Sequence, residues 1–238
     1  MSRPPAWRDV LLRVAVAVAI AILLAVLVLP LIALVARLSP RELVRHLGDH
    51  DVVAALRLSI ESTVIATATV IVLGLPTAWF LSSVEFRGKA AVRALIELPL
   101  VLPPTVAGLG LLLAFGRAGL AGKVLHAAGI SLPFTTLAVI VAQVFVATPF
   151  FISAATAGLG AVDRGYLDAA ATLRATPAYR FAHVMLPLAL PSIVAGAIMS
   201  WARALGEFGA TITFAGNLAG RTETMPLAVY TAMQTDLD

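Results

Sequence analysis

Arg203 and Glu207 lie four residues apart inside an otherwise apolar stretch running from Met185 to about Ala215. That spacing puts both side chains on one face of a helix. Charges in a membrane helix are costly, and by default they mark a pathway or a gate. A structural pair that neutralises itself at a helix end or subunit interface is the other reading, and both stay open here. Arginine before glutamate is the weaker order for a pair within one helix, so one or both can be expected to find partners elsewhere.

Other chemistry is thin. His46, His50, His126 and His183 are separate loop residues. His46 and His50 have the i,i+4 spacing of a metal pair, but no third ligand is near and a solvated helix face is expected. Cysteine is absent, which removes disulfides, zinc thiolates and thiol catalysis. There is no Ser-His-Asp set, no carboxylate pair at catalytic spacing and no G-x-x-x-x-G-K-[ST] phosphate loop. Neither an enzyme nor a cofactor is expected.

A third polar feature is the segment 163–187, DRGYLDAAATLRATPAYRFAHVMLP, which sits between two apolar runs. Asp163 is a plausible N-cap. Leu167, Ala170, Ala171 and Arg174 then share one face of a short helix that small alanines keep slim. Thr176-Pro177 is a second helix start, and Pro187 and Pro191 punctuate the entry to the next run. On spacing alone this could be an ordinary surface loop with two helical turns.

The elements that hold these residues follow from composition. Of 238 residues 60% are hydrophobic and 13% charged, with mean hydropathy +0.97. A soluble domain carries about 25% charged residues, so these charges cannot cover a water-facing surface. The chain is read as an all-α integral membrane protein. The net charge of +4 does not indicate nucleic acid, because the basic residues are scattered rather than gathered with aromatics.

Five runs approach the roughly 20 residues that cross a bilayer: Val14–Ala36, Ser62–Val84, Leu98–Phe115, a run inside Leu132–Val162, and Met185 to about Ala215. The first is too long for a cleaved leader and is read as a retained helix. Pro99, Pro103 and Pro104 make the third either kinked or broken. Gly108, Gly110, Gly206 and Gly209 would permit close helix approach. The first connection, near 37–57, could carry an amphipathic helix of its own. With the N-terminus inside, nine Lys and Arg fall on inner segments and seven on outer ones, a weak vote for that orientation. Five crossings then put the C-terminus outside.

At this point the residues resemble a known family. The spacing E-A-A-x3-G-x9-I-x-L-P, the loop of permease subunits of bacterial ATP-binding-cassette importers, is similar without gaps to Asp168-Ala169-Ala170, Arg174 and Val184-Met185-Leu186-Pro187. Asp168 stands for Glu, and Arg174 stands for Gly. Because glycine permits positive φ at a turn and arginine resists it, the first short helix is expected to run on through Arg174. Glu97–Phe115 resembles the third helix of molybdate and sulfate permeases, and Arg203–Asn217, RALGEFGATITFAGN, resembles the molybdate type.

The resemblance covers the chain from about residue 55. It implies a polytopic helical bundle of the importer-permease type: a single permease domain over 1–238, with 1–54 a first helix and outer loop and 55–238 the core. It also implies a homodimer with a path at its two-fold axis, separate ATPase subunits docked on a cytoplasmic coupling loop at about 158–187, and an extracytoplasmic molybdate-binding protein. A sulfate, thiosulfate or tungstate permease of the same fold is the alternative. The implied location is the bacterial inner membrane. The family has a sixth helix, expected after residue 238, and its lack here implies a truncation or an early end.

Overall fold

The computed structural model describes residues 6–36 and 48–235, in two compact units, Met1–Asp49 and His50–Asp238. In the first, α1 (Ala6–Ala36) is one helix, and its Val10–Ala36 portion has a mean hydropathy of 3.3. Residues 37–47 fall outside the described residues, and so do His46 and any helix in that loop.

The second unit consists of α2 (His50–Ser83), α3 (Lys89–Val101), α4 (Pro104–Phe115), α5 (Gly122–Ala127), α6 (Thr136–Gly160), α7 (Arg164–Thr172), α8 (Pro177–Arg180), a π turn (Phe181–Met185), α9 (Leu186–Leu205), α10 (Gly209–Phe214) and α11 (Met225–Thr235). No strand occurs among the described residues. Lipid offers no partner to a backbone N–H or C=O, and a helix satisfies both within itself. Among the described residues four stretches are long and apolar enough to cross: Val10–Ala36, His50–Ser83, Thr136–Gly160 and Pro177–Leu205. The bent pair α3 and α4 makes a fifth if taken as one span.

One expectation is extended, one open alternative is resolved and one expectation is corrected. The helix that holds the second run begins twelve residues before Ser62, at His50. Arg57 and Glu61 lie within it, with Arg57 Nε 2.6 Å from Glu61 Oε1 on an exposed face. The third crossing is broken rather than kinked: α3 and α4 meet at 118°. Leu102 and Pro103 both precede a proline, a position that disfavours helical ψ, and their ψ values are 132° and 135°. The fifth crossing stops at Leu205 instead of continuing to about Ala215. The residues beyond fold separately as α10. In addition, α11 was not anticipated.

The centre of the second unit is α6, which packs on α2 and α9. Phe151, Ile152 and Leu159 of α6 are buried with Val70 and Leu81 of α2 and Ile193 of α9. Helices in lipid gain no hydrophobic drive from meeting, so close packing and hydrogen bonds hold them, the latter at about 0.6 kcal/mol each on average. Gln143 Nε2 donates to Ser62 Oγ at 3.1 Å, Trp201 Nε1 to Thr63 Oγ1 at 3.1 Å, and Ser200 Oγ to the Ala147 carbonyl at 3.1 Å. The Met225 N–H donates to Ser59 Oγ at 2.7 Å, which fixes the start of α11 on α2.

Candidate functional site

The segment 163–187 forms at the end of the bundle where α2 and α6 finish. Asp163 Oδ1 accepts from the Gly165 N–H at 2.8 Å, which starts α7 as its capping role requires. Leu167 turns inward and packs against the core, while Ala170 is half-buried and Asp168 and Ala169 are exposed. No side chain of α7 or α8 is fully buried.

Arg174 overturns the expectation drawn for it. The helix does not run on; α7 ends at Thr172, and Arg174 takes φ 59°, the left-handed conformation that a glycine would favour. Its N–H donates to the Ala171 carbonyl at 2.9 Å, and the Ala175 N–H donates to Ala170 at 3.1 Å. This pair of bonds is the Schellman ending of a helix. Two carbonyls gain partners, offsetting a strain of roughly 1–2 kcal/mol for a side chain in that conformation. The loop therefore keeps the glycine geometry without the glycine.

Thr176 Oγ1 then accepts from the Tyr179 N–H at 3.3 Å, with Pro177 at the first helical position. After α8 the chain widens into the π turn, closed by the Leu186 N–H on the Phe181 carbonyl. Pro187 gives the reason: it has no N–H to offer, and its ring would clash with the carbonyl four residues back in a regular helix. Phe181 leans on Trp79 of α2 with ring centroids 5.0 Å apart. Val184 and Leu186 are half-buried beneath this turn, and Pro187 is exposed. The two halves of the motif, Asp168-Ala169-Ala170-Arg174 and Val184-Leu186-Pro187, thus sit on α7 with its cap and on the π turn with the start of α9, and α7 touches that turn.

The sequence reading missed the side chains that this geometry leaves standing out. Tyr166 and Tyr179 are exposed, and Leu173 is 83% exposed. A cleft of about 420 Å³ runs between Ala170, Leu173, Arg174, Ala175, Thr176 and Tyr179. A usable signal was present: Leu173 and the two tyrosines are large apolar groups in a segment too polar to be lipid-facing.

Beside this segment, Glu85 in the α2–α3 connection accepts from Lys89, which holds its carboxyl below the ordinary carboxylate value, with Arg93 and Arg164 adding to the effect. These contacts place the 84–88 connection and the start of α7 at the same end.

Arg203 and Glu207 sit at the corner between α9 and α10. Arg203 Nη1 lies 2.6 Å from Glu207 Oε2, so the two pair with each other despite the weaker order. Glu207 is 1% exposed in its side chain and Arg203 28%. The other carboxylate oxygen, Oε1, accepts from the Ala210 N–H at 2.7 Å and so caps α10. That second bond explains why the apolar run stops at Leu205: the carboxylate folds the chain back onto the next helix. Here α10 lies against α4 so closely that a Cβ on Gly108 would stand 2.7 Å from the Ala210 carbonyl oxygen. One on Gly209 would stand 2.6 Å from Pro104. Gly110 and Gly206 make no such approach between helices. No group of three or more metal-ligating side chains occurs among the described residues.

With two broken helices packed together and a capped, water-facing connection at one end, comparison with known proteins becomes decisive. Residues 54–236 match the family described as "Binding-protein-dependent transport system inner membrane component". The chain belongs to this family. Similar members include the "Molybdenum transport system permease protein ModB" of Mycobacterium tuberculosis (strain ATCC 25618 / H37Rv), 42% identical over 209 residues, covering 88% of this chain and 79% of that protein. The ModB of Escherichia coli (strain K12) is 40% identical over 182 residues, covering 76% and 80%. The "Probable transport system permease protein NifC" of Clostridium pasteurianum is 37% identical over 211 residues, covering 87% and 73%. As an inner membrane component of such a system, the chain is an all-α, multi-pass membrane protein of a transporter family, as its composition led one to expect.

Proposed function

We propose that this chain is the membrane-spanning subunit of an ATP-driven molybdate importer. It works as a homodimer, forms the translocation path, and leaves ATP hydrolysis to separate ATPase subunits. Molybdate reaches it from an extracytoplasmic binding protein. Residues 55–238 are the permease core and 1–54 a first helix and outer loop, a division that accords with the family match beginning at residue 54. The N-terminus and the 163–187 segment face the cytoplasm.

One observation carries this reading. The segment Asp163–Pro187 satisfies its own backbone through three caps yet leaves Tyr166 exposed and Leu173 and Tyr179 uncovered around a cleft. Large apolar groups in a rigid, water-facing segment suit a protein partner, and aromatic anchors of this kind carry most of an interface's affinity. The names of the similar permeases supply molybdenum as the cargo. Arg203 and Glu207 belong to the gate in this reading. They sit where the broken pair α3–α4 meets α10, and discontinuous helices in transporters typically border the path.

The test is Ala170→Glu in the full transporter. ATPase recovered with the permease from membranes falls at least tenfold, and molybdate uptake falls with it. Undiminished recovery and uptake would sink the docking role. Uptake of labelled molybdate that sulfate outcompetes at equal concentration would reassign the cargo.

A further inference from the structure

Of the arginines in the 163–187 segment, Arg164 and Arg174 are exposed, whereas Arg180 is half-buried. Its Nε is shut away from solvent with no hydrogen-bond partner. That nitrogen is beyond the reach of any ligand; what it shows is that the base of the guanidinium is wedged in place. The two terminal nitrogens are not shut in, and among the described residues the side chain makes no hydrogen bond or ion pair. Burying part of a charged group without a partner is costly, so a fixed guanidinium with open outer donors gains from an anion.

Arg180 borders a cleft of about 290 Å³ between the end of α2 and the 163–187 segment. Trp79 and Ser83 line it from the last turns of α2, and Leu167, Phe181 and Met185 line it from α7 and the π turn. No carboxylate is among its lining residues, so the charge of Arg180 stands uncancelled there. The exposed Ser83 hydroxyl touches only that of Ser82, at 3.5 Å, and is free to donate. Three observations make the fitting anion an amphiphile. The walls other than Arg180 and Ser83 are apolar, and tryptophan near the end of a membrane helix belongs at the boundary with the headgroups. Ile65, Val72 and Trp79 are seven residues apart on α2 and share one exposed face, a track that runs from mid-helix to the cleft. The connections at this end, 84–94 and 158–187, carry six Lys and Arg against three Asp and Glu, and one of those acids, Glu85, is already taken by Lys89.

We propose that this cleft binds an anionic phospholipid, with the phosphodiester on the terminal nitrogens of Arg180 and an acyl chain along Ile65, Val72 and Trp79. Arginine presents its donors in a fork that matches two oxygens of one phosphate. The cleft falls just short of the roughly 300–1,000 Å³ of a drug-sized pocket, which leaves room for a phosphate and its glycerol and puts the chains outside, on the helix face. Basic pockets at the ends of membrane helices suit such headgroups. Bound there, one lipid would bridge α2 to the π turn beside the Trp79–Phe181 contact. The site goes beyond the transport reading and does not depend on it.

The experiment is native mass spectrometry on the full chain purified in mild detergent, titrated with dioleoylphosphatidylglycerol and, separately, with dioleoylphosphatidylcholine, which has the same chains and no net charge. Wild type retains phosphatidylglycerol in preference to phosphatidylcholine. Arg180→Gln weakens phosphatidylglycerol by about tenfold or more, as loss of a charge-assisted contact should. Arg180→Lys keeps the charge and the stem but loses the fork, and weakens it by less. Arg87→Gln removes an equal charge from an exposed position at the same end and stays within about twofold of wild type. A thermal scan in the same detergent gives a second reading: phosphatidylglycerol raises the midpoint of wild type and Arg180→Lys more than that of Arg180→Gln. Equal losses in Arg87→Gln and Arg180→Gln would mean diffuse attraction by the basic end and would overturn the site. So would undiminished binding by Arg180→Gln, or a wild type that does not distinguish the two lipids.

Discussion

Two regions of this chain place polar residues where apolar ones would be expected, and they resolve them in opposite ways. In the segment 163–187, Asp163, Thr176 and the Arg174 turn close the backbone's own bonds while no side chain of α7 or α8 is fully buried. At the α9–α10 corner, Glu207 is buried and both of its oxygens face partners within the same stretch of chain. The first region is complete as a backbone and open as a surface. The second is closed in both respects. Polarity that is already matched inside the molecule holds its shape, and only the unmatched kind reports on what lies outside.

The largest expected effect breaks the closed region. Glu207→Ala leaves Arg203 uncompensated and α10 uncapped, at a cost of about 3–5 kcal/mol, read as a large fall in the thermal midpoint of the detergent-solubilised protein. Glu207→Gln keeps an acceptor for the Ala210 N–H and falls less far. Equal midpoints for wild type and Glu207→Ala would show that the corner is not held by this carboxylate.

The open region predicts the reverse pattern. Leu173→Ala and Tyr179→Ala each weaken recovery of the ATPase by about 2 kcal/mol, roughly thirtyfold, while stability stays within about 0.5 kcal/mol. A matching loss of stability would mean that these side chains serve the fold instead. Smaller again is Arg174→Gly, which removes the side-chain strain at φ 59° and raises stability by about 1 kcal/mol, with Arg174→Val lowering it. Equal unfolding midpoints across the three would show that the turn is not strained.

Smallest is the pH response of the pair that exposed Glu85 makes with the half-buried Lys89. Lys89 lowers the folded-state pKa of Glu85, so its contribution is present above the ordinary value of 4.5. It is lost as pH falls through the lowered folded value. Acid titration of wild type against Glu85→Gln shows a slight difference that vanishes at high salt.

The class was legible because apolar runs of this length leave a bilayer little alternative, and four of the five expected runs form such helices, the fifth only if α3 and α4 count as one span. The caps were legible too, since Asp163 and Thr176-Pro177 act locally. What escaped depended on pairing across space or on an energy balance. The run read from Ser62 missed the helix before it, where Arg57 and Glu61 bond to each other on an exposed face. Arg174 looked unable to do a glycine's work, but two hydrogen bonds outweigh the strain. The end of the fifth run was written in Glu207, yet reading it required knowing that its carboxylate would turn forward to Ala210 rather than only back to Arg203. Leu173 and Tyr179 were passed over because exposure is a property of the folded segment.

The widened turn at Phe181–Met185 has a bearing on every later measurement along this stretch. It adds one residue to a helical winding that otherwise repeats every 3.6. Side chains before it are therefore out of phase with those after it by about 100°. A scan of cysteine accessibility from Pro177 to Leu205 will show a regular beat that slips by one position at the turn. Faces assigned on α9 cannot be carried back to α8 by counting.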